Sequence, residues 1–105
     1  MGELIRITQE ANNILKIVGL GRESADNDVL VRDVTETITA LIDGGRLIGG
    51  EIIKVNGPLT IPIAFVLAYK LACLFETVAV YDPKINKYVV VIDNGGKRRV
   101  GDLVN

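Results

Sequence analysis

Asp82 stands inside "VAVYDPKINKYVVVI", residues 78–92, with Tyr81 before it and Pro83 and Lys84 after it, in a chain without histidine. An aspartate between two apolar runs is a candidate acid–base group, and without histidine few other side chains could share that work near neutral pH. The same Asp-Pro pair suits a plain turn, because the Asp side chain bonds to the following backbone and Pro fixes φ. Both readings stand on these residues.

A second corner lies in "VNGPLT", residues 55–60, where a strand ends at Gly57 and a helix begins at once. Backbone N–H groups at a helix start attract phosphate, and Gly57 has no Cβ to obstruct a ligand's approach. Asn56, Gly57, Pro58 and Thr60 are therefore the candidate ligand-binding residues. The corner has neither a Gly-x-Gly-x-x-Gly pattern nor a Gly-Lys-Ser/Thr loop, and a Gly-Pro pair also makes an ordinary connection. In a strand-helix-strand arrangement the Gly57 strand and the Asp82 strand run parallel, so both corners fall at the carboxyl edge of the sheet, where open α/β sheets bind ligands.

Other polar groups are weaker candidates. Lys84, Lys87 and the "KRR" of residues 97–99 could contact phosphates, but cations on a last strand also keep an edge from pairing with other chains. Tyr69 and Lys70 interrupt an otherwise apolar helix, where the tyrosine could stack on a base or simply pack with its hydroxyl in water. Asp82, Asp93 and Asp102 lack diagnostic metal-ligand spacing and the chain has no His-Cys cluster, so no structural metal is expected.

The elements that must hold these residues fit one domain over residues 1–105. Apolar residues make up 49% of the 105-residue chain, and the net charge of −1 gives no global attraction to DNA or an acidic membrane. No apolar run reaches the roughly 20 residues of a membrane span. The charged start, "MGELIRITQE", lacks a signal-peptide core, and the single cysteine, Cys73, reads as a small buried hydrophobe in a reducing cytoplasm. "ELIRIT" and "ILKIVGL" read as a hairpin across "QEANN". "DNDVLVRDVTETITALIDGG" reads as an amphipathic helix capped by Asp26 or Asp28, with Val31, Val34, Ile38 and Leu41 on its apolar face and Gly44 and Gly45 as its stop. "GGEIIKVNG" is a strand ending at Gly57, and "PLTIPIAFVLAYKLACLFE" a helix apolar on nearly every side, which the sheet covers on one side and the first helix or a second copy of the chain on the other. "TVAVYD", "KYVVVID" and "RRVGDLV" complete the order ββαβαβββ, an α/β domain of two layers with a mixed sheet.

The second half, from about Glu51 to Val104, resembles the CRISPR-associated "Csx-three" family, the ring nucleases of type III systems. The resemblance rests on "NGP" at residues 56–58, "LAYKL" at 67–71, "VAVYDPKINKYVVV" at 78–91 and "VGDLV" at 100–104. It implies a homodimeric domain like those that sense cyclic oligoadenylate, and a phosphodiesterase that opens cyclic tetra-adenylate to end antiviral signalling. Asp82, Lys84 and Tyr69 would form the catalytic set, with Gly57 and Pro58 facing the ligand and a divalent cation such as Mn2+ as the one cofactor this reading admits. Two departures bear on catalysis. Tyr69 stands where the family has its histidine, and a phenol with an ordinary pKa near 10 is a poor base at neutral pH. Lys84 replaces an arginine, which keeps the charge but loses bidentate phosphate recognition. The alternatives are a sensor that binds the ring without cutting it and a small RNA-binding or RNA-trimming domain that uses the basic last strand.

Overall fold

The computed structural model describes residues 5–19 and 25–105. Strands β1 (Ile5–Glu10) and β2 (Ile14–Gly19) form an antiparallel hairpin, with Ile7 opposite Ile17. A single turn of 3-10 helix, Ala11–Asn13, joins them, and Asn12 and Asn13 both take positive φ, a conformation asparagine tolerates better than most residues. The sequence-predicted strands began two residues earlier and ended one later, at positions outside the described residues.

Helix α1 (Asn27–Asp43) starts after Asp26, whose side chain makes no capping hydrogen bond, and stops at Gly44, at the expected glycines. Its buried face is Leu30, Asp33, Val34 and Ile38, rotated slightly from the expected stripe. The buried Asp33 carboxylate accepts the N–H of Ile5 at 2.9 Å and so ties α1 to the start of β1. Strand β3 (Gly50–Asn56) follows, then helix α2 (Ile61–Ala72), strands β4 (Phe75–Asp82) and β5 (Lys87–Asp93), and β6, which is only Leu103–Val104. The last strand is thus shorter than the stretch "RRVGDLV" suggested. Residues 94–102 turn instead through bonds to Asp93 and Asp102.

The six strands lie in chain order, with β2, β3 and β4 parallel and the outer pairs antiparallel. Sequential neighbours joined by helical crossovers are the expected outcome for strand-helix-strand units. Both helices cover the same face: Leu30, Val34, Ile38, Ile63, Leu67 and Leu71 pack with Ile53, Val55 and Val78 in one core. The domain therefore has two layers, a mixed sheet and a helical layer.

Among the described residues the other face of the sheet carries no helix, and it has its own small apolar cluster, Ala79, Tyr88 and Val90, joined by Ile14, Tyr81 and Val104. A β-bulge separates the two sides of β5. Ile92 pairs with Val78 and joins the helix-side core, Val90 pairs with Ala79 and joins the back cluster, and Val91 between them is the extra residue.

Candidate functional site

Parallel pairing of β3 and β4, with Val55 opposite Val80, brings the two corners together. Asn56 follows Val55 and Tyr81 follows Val80, so the connection through Gly57 to Thr60 runs beside the turn that starts at Asp82.

At the first corner, much of the sequence-level logic has a structural use. Gly57 takes φ 128°, and the space a Cβ would occupy is filled by the main chain of Ile17 on β2. Its missing side chain lets two pieces of backbone meet; the expectation that it clears a path for ligand does not match this packing. Thr60 is the N-cap of α2, and its hydroxyl accepts the N–H of Ile63 at 3.4 Å. Pro62, in the first turn, has no N–H to offer. Of the first three helical residues only Ile61 keeps an N–H that neither cause removes, so the helix start is a thin phosphate cradle. Pro58 precedes the helix, which begins three residues later than its position suggested.

At the second corner, Asp82 performs the turn function. Its Oδ1 accepts the N–H of Lys84 at 2.9 Å, and its carbonyl accepts the N–H of Asn86 at 2.9 Å and that of Ile85 at 3.3 Å. The Tyr81 hydroxyl donates to Asn86 Oδ1, and Asn86 closes the turn with φ 54°. Oδ2 of Asp82 takes no hydrogen bond among the described residues, so one oxygen holds the turn and the other is free to face a ligand. Lys84 is exposed beside it.

Tyr69 does not join this pair within one chain. Helix α2 runs back from the end of β3 to the start of β4, so its last turn, with Tyr69, lies at the end of the sheet opposite to Asp82. Tyr69 also faces away from the sheet, 72% exposed, in line with Ile61 and Phe65 at 75% and 74%. Cys73 continues that exposed line; its Sγ donates to the carbonyl of Tyr69 at 3.4 Å, and the expectation of a buried cysteine fails because helix phase turns it outward.

The basic segment is occupied elsewhere. Arg98 and Lys97 pair with Glu51 at 3.0 and 3.8 Å, and the Arg98 hydrogen bond, aided by the charge of Lys97, holds the Glu51 carboxyl below its ordinary pKa. Asp93 accepts from Thr77 Oγ1 and from the N–H groups of Gly96 and Arg98, and Asp102 from that of Arg99. Among the described residues no three His, Cys, Asp or Glu side chains gather as metal ligands. Asp82 is the only carboxylate at the paired corners, so this donor set does not fit a dedicated Mn2+ site.

The back of the same corner holds residues that the sequence reading passed over. Asn56 Nδ2 donates to the Tyr88 hydroxyl at 3.0 Å, Tyr88 packs edge-on to Tyr81 with ring centroids 5.3 Å apart, and Lys54 sits over the Tyr88 ring at 5.6 Å. The available signal was a lysine in the middle of the apolar run "EIIKV", a strand of the kind that reads as almost wholly hydrophobic when both faces are covered. A hollow of about 270 Å³ between the β1–β2 hairpin and the end of α1, walled by Thr8, Gln9, Leu41, Arg46 and Leu47, is not lined by any residue of the paired corners. No helix among the described residues is long and apolar enough to cross a membrane. Comparison with protein-family models, with curated proteins and with solved structures finds no match for the chain.

Proposed function

We propose that the chain is a cytoplasmic, homodimeric protein that binds cyclic oligoadenylate, with cyclic tetra-adenylate as its ligand, in the manner of the ring nucleases that its second half resembles. The observation that carries this reading is the juxtaposition of the Asn56–Thr60 corner with the Asp82–Lys84 turn at the carboxyl edge of parallel strands. Lys84 supplies positive charge for a phosphate, and the free oxygen of Asp82 supplies an acceptor for a ribose hydroxyl. In that geometry the 2′-oxygen attacks the adjacent phosphorus, its proton passes to the Asp82 carboxylate, and the bond to the 5′-oxygen of the next nucleotide breaks as that oxygen takes a proton from solvent water. The product is a linear chain ending in a 2′,3′-cyclic phosphate, and the protein acts mainly by holding the ring in line.

The separation of Tyr69 from Asp82 favours a second reading, a sensor that binds the ring and releases it intact. Tyr69 reaches a ligand at Asp82 only from another copy of the chain. The RNA-binding alternative loses support because Glu51 neutralises much of the basic segment on which it rested. Titration with tri-, tetra- and hexa-adenylate rings, followed for both binding and cleavage, separates these readings. Tight binding of the tetra-adenylate ring with slow appearance of the linear product is the expected result, intact release supports the sensor, and no binding of any ring at micromolar protein overturns the proposal.

A further inference from the structure

At the carboxyl end of the sheet, a row of side chains crosses the face that carries no helix among the described residues. Register sets Lys16 of β2 opposite Asn56 of β3, and Tyr81 of β4 opposite Tyr88 of β5, while Asn56 and Tyr81 follow the paired Val55 and Val80. Leu15, Val55 and Val80 pack into the helix-side core, so alternation along each strand sends Lys16, Asn56 and Tyr81 to the other face.

Asn56 is held by its tip. Its Nδ2 donates to the Tyr88 hydroxyl at 3.0 Å, and Tyr88 is itself only 7% exposed, so the bond comes from a fixed point. An amide offers two N–H donors and an acceptor oxygen, and the Tyr88 bond uses one donor and decides which way the group is turned. Oδ1 and the second Nδ2 hydrogen take no partner among the described residues. Half-buried Tyr81 lies beside them, its ring edge-on to Tyr88 and its hydroxyl tied to Asn86. An acceptor and a donor side by side, next to an aromatic ring, match the edge and the flat face of a nucleobase.

The orientation of the amide selects among bases. Adenine and cytosine present an amino donor next to a ring-nitrogen acceptor, which fits Oδ1 and Nδ2 as they stand. Guanine and uracil present the reverse order and would require the amide to turn over and give up Tyr88. Adenine, with the larger ring, gains more than cytosine from stacking on Tyr81. Lys16 is exposed and in no ion pair among the described residues, and it supplies charge for the phosphate joined to the base. It stands between Arg6 and Glu10 of the neighbouring rows, with Asp82 and Lys84 at the turn, while Lys54 and Lys87 hydrogen-bond to Asn105. These charges act on any nucleotide alike, and the choice of base falls to Asn56.

We propose that Asn56 and Tyr81 form an adenine-reading subsite, and that Tyr88 is the positioning residue that sets its preference for adenine over guanine. The subsite deepens the cyclic-oligoadenylate reading and rests on it for the ring, but a free mononucleotide also fits it. The test uses the full chain, with adenosine 5′-monophosphate, guanosine 5′-monophosphate and cyclic tetra-adenylate as probes. Binding is followed by the side-chain amide signals of Asn56 in 15N spectra and by tyrosine fluorescence, which no tryptophan obscures. The variants are Asn56→Leu and Tyr88→Phe, and their melting temperatures check the fold.

The adenine nucleotide is expected to bind about tenfold more tightly than the guanine nucleotide, and Asn56→Leu to weaken both it and the ring by about tenfold or more. Tyr88→Phe frees the amide to turn over, so it should bring the two mononucleotides within about twofold of each other while the ring still binds. Equal affinity of the parent for the two mononucleotides, or ring binding unchanged in Asn56→Leu, overturns the subsite and leaves the ring reading intact. Selectivity that survives Tyr88→Phe overturns the role of Tyr88, a result that stands even where Asn56→Leu fails to fold. Selective binding of the adenine mononucleotide with no affinity for the ring supports the subsite and removes the ring reading. No response to any probe overturns both.

Discussion

Gly57 and Ile17 meet backbone to backbone: a Cβ on Gly57 would come within 3.0 Å of both the carbonyl carbon and the amide nitrogen of Ile17, and closer still to its carbonyl oxygen. Ile17 belongs to the first hairpin and Gly57 to the corner after β3, so this contact locks the candidate site to the N-terminal part of the sheet.

Gly57→Val is accordingly expected to damage the fold at least as much as any ligand affinity. It combines the clash with Ile17 and a φ of 128° that side-chain-bearing residues rarely adopt. A loss of roughly 2 kcal/mol or more is expected in urea denaturation. A variant as stable as the parent that has lost only ligand binding would restore the simpler view of Gly57 as a ligand-clearing position.

Asp82→Asn is expected to keep the turn, since the amide oxygen can accept the Lys84 N–H as the carboxylate does. Its melting temperature should stay close to that of the parent. If the free oxygen of Asp82 takes the 2′-hydroxyl proton, the single-turnover rate of ring opening falls by about 10²-fold or more. An unchanged rate would reduce Asp82 to its turn.

Phe65→Glu is expected to separate the proposed homodimer without unfolding the chain. Phe65 is 74% exposed at the centre of the line Ile61, Phe65, Tyr69, so a charge there penalises only a contact between copies. Sedimentation should give a dimer for the parent and a monomer for the variant at micromolar concentration, with the same circular dichroism. A parent that sediments as a monomer would remove α2 as the two-fold contact. Tyr69→His is then expected to speed cleavage only in the dimer, and only where Asp82 is intact.

Glu51 gives the pH dependence. Arg98 and Lys97 depress its pKa in the folded chain below the ordinary 4.5, so its contribution to stability is present above that value and is lost as pH falls through the depressed one. The stability difference between the parent and Glu51→Gln should shrink as solutions are acidified through this range, and it should be small throughout because the pair is half-exposed and screened by salt. A difference that grows on acidification would contradict the pairing.

How far these features could be read in advance depended on how local their causes are. Helix α2 was legible because its prolines and the apolar run from Ile63 lie within a few residues of one another, though its cap, Thr60, was read as a ligand-binding residue, and the meeting of the two corners followed from the rule for strand-helix-strand units. The role of Gly57 was not, because it depends on Ile17, forty positions earlier. Lys54 was missed for the same reason, since its partner Asn105 is 51 residues away. Cys73 was misplaced because composition identifies an apolar helix but not the angle at which it docks.

The bulge makes Val91 the one residue of β5 that the strand can lose. Val91 is 42% exposed and can be exchanged for many residues without either core noticing. Deleting it would leave Val90 opposite Ala79 and Ile92 opposite Val78 in a regular ladder, so each layer would keep its own residues. Deleting Val89 instead would slip the pairing by one and turn part of the strand over, either Tyr88 out of its layer or Asp93 away from Thr77, Gly96 and Arg98. A change of length in this strand is therefore absorbed at a single codon, and a loss beside it sets the two layers of the molecule against each other.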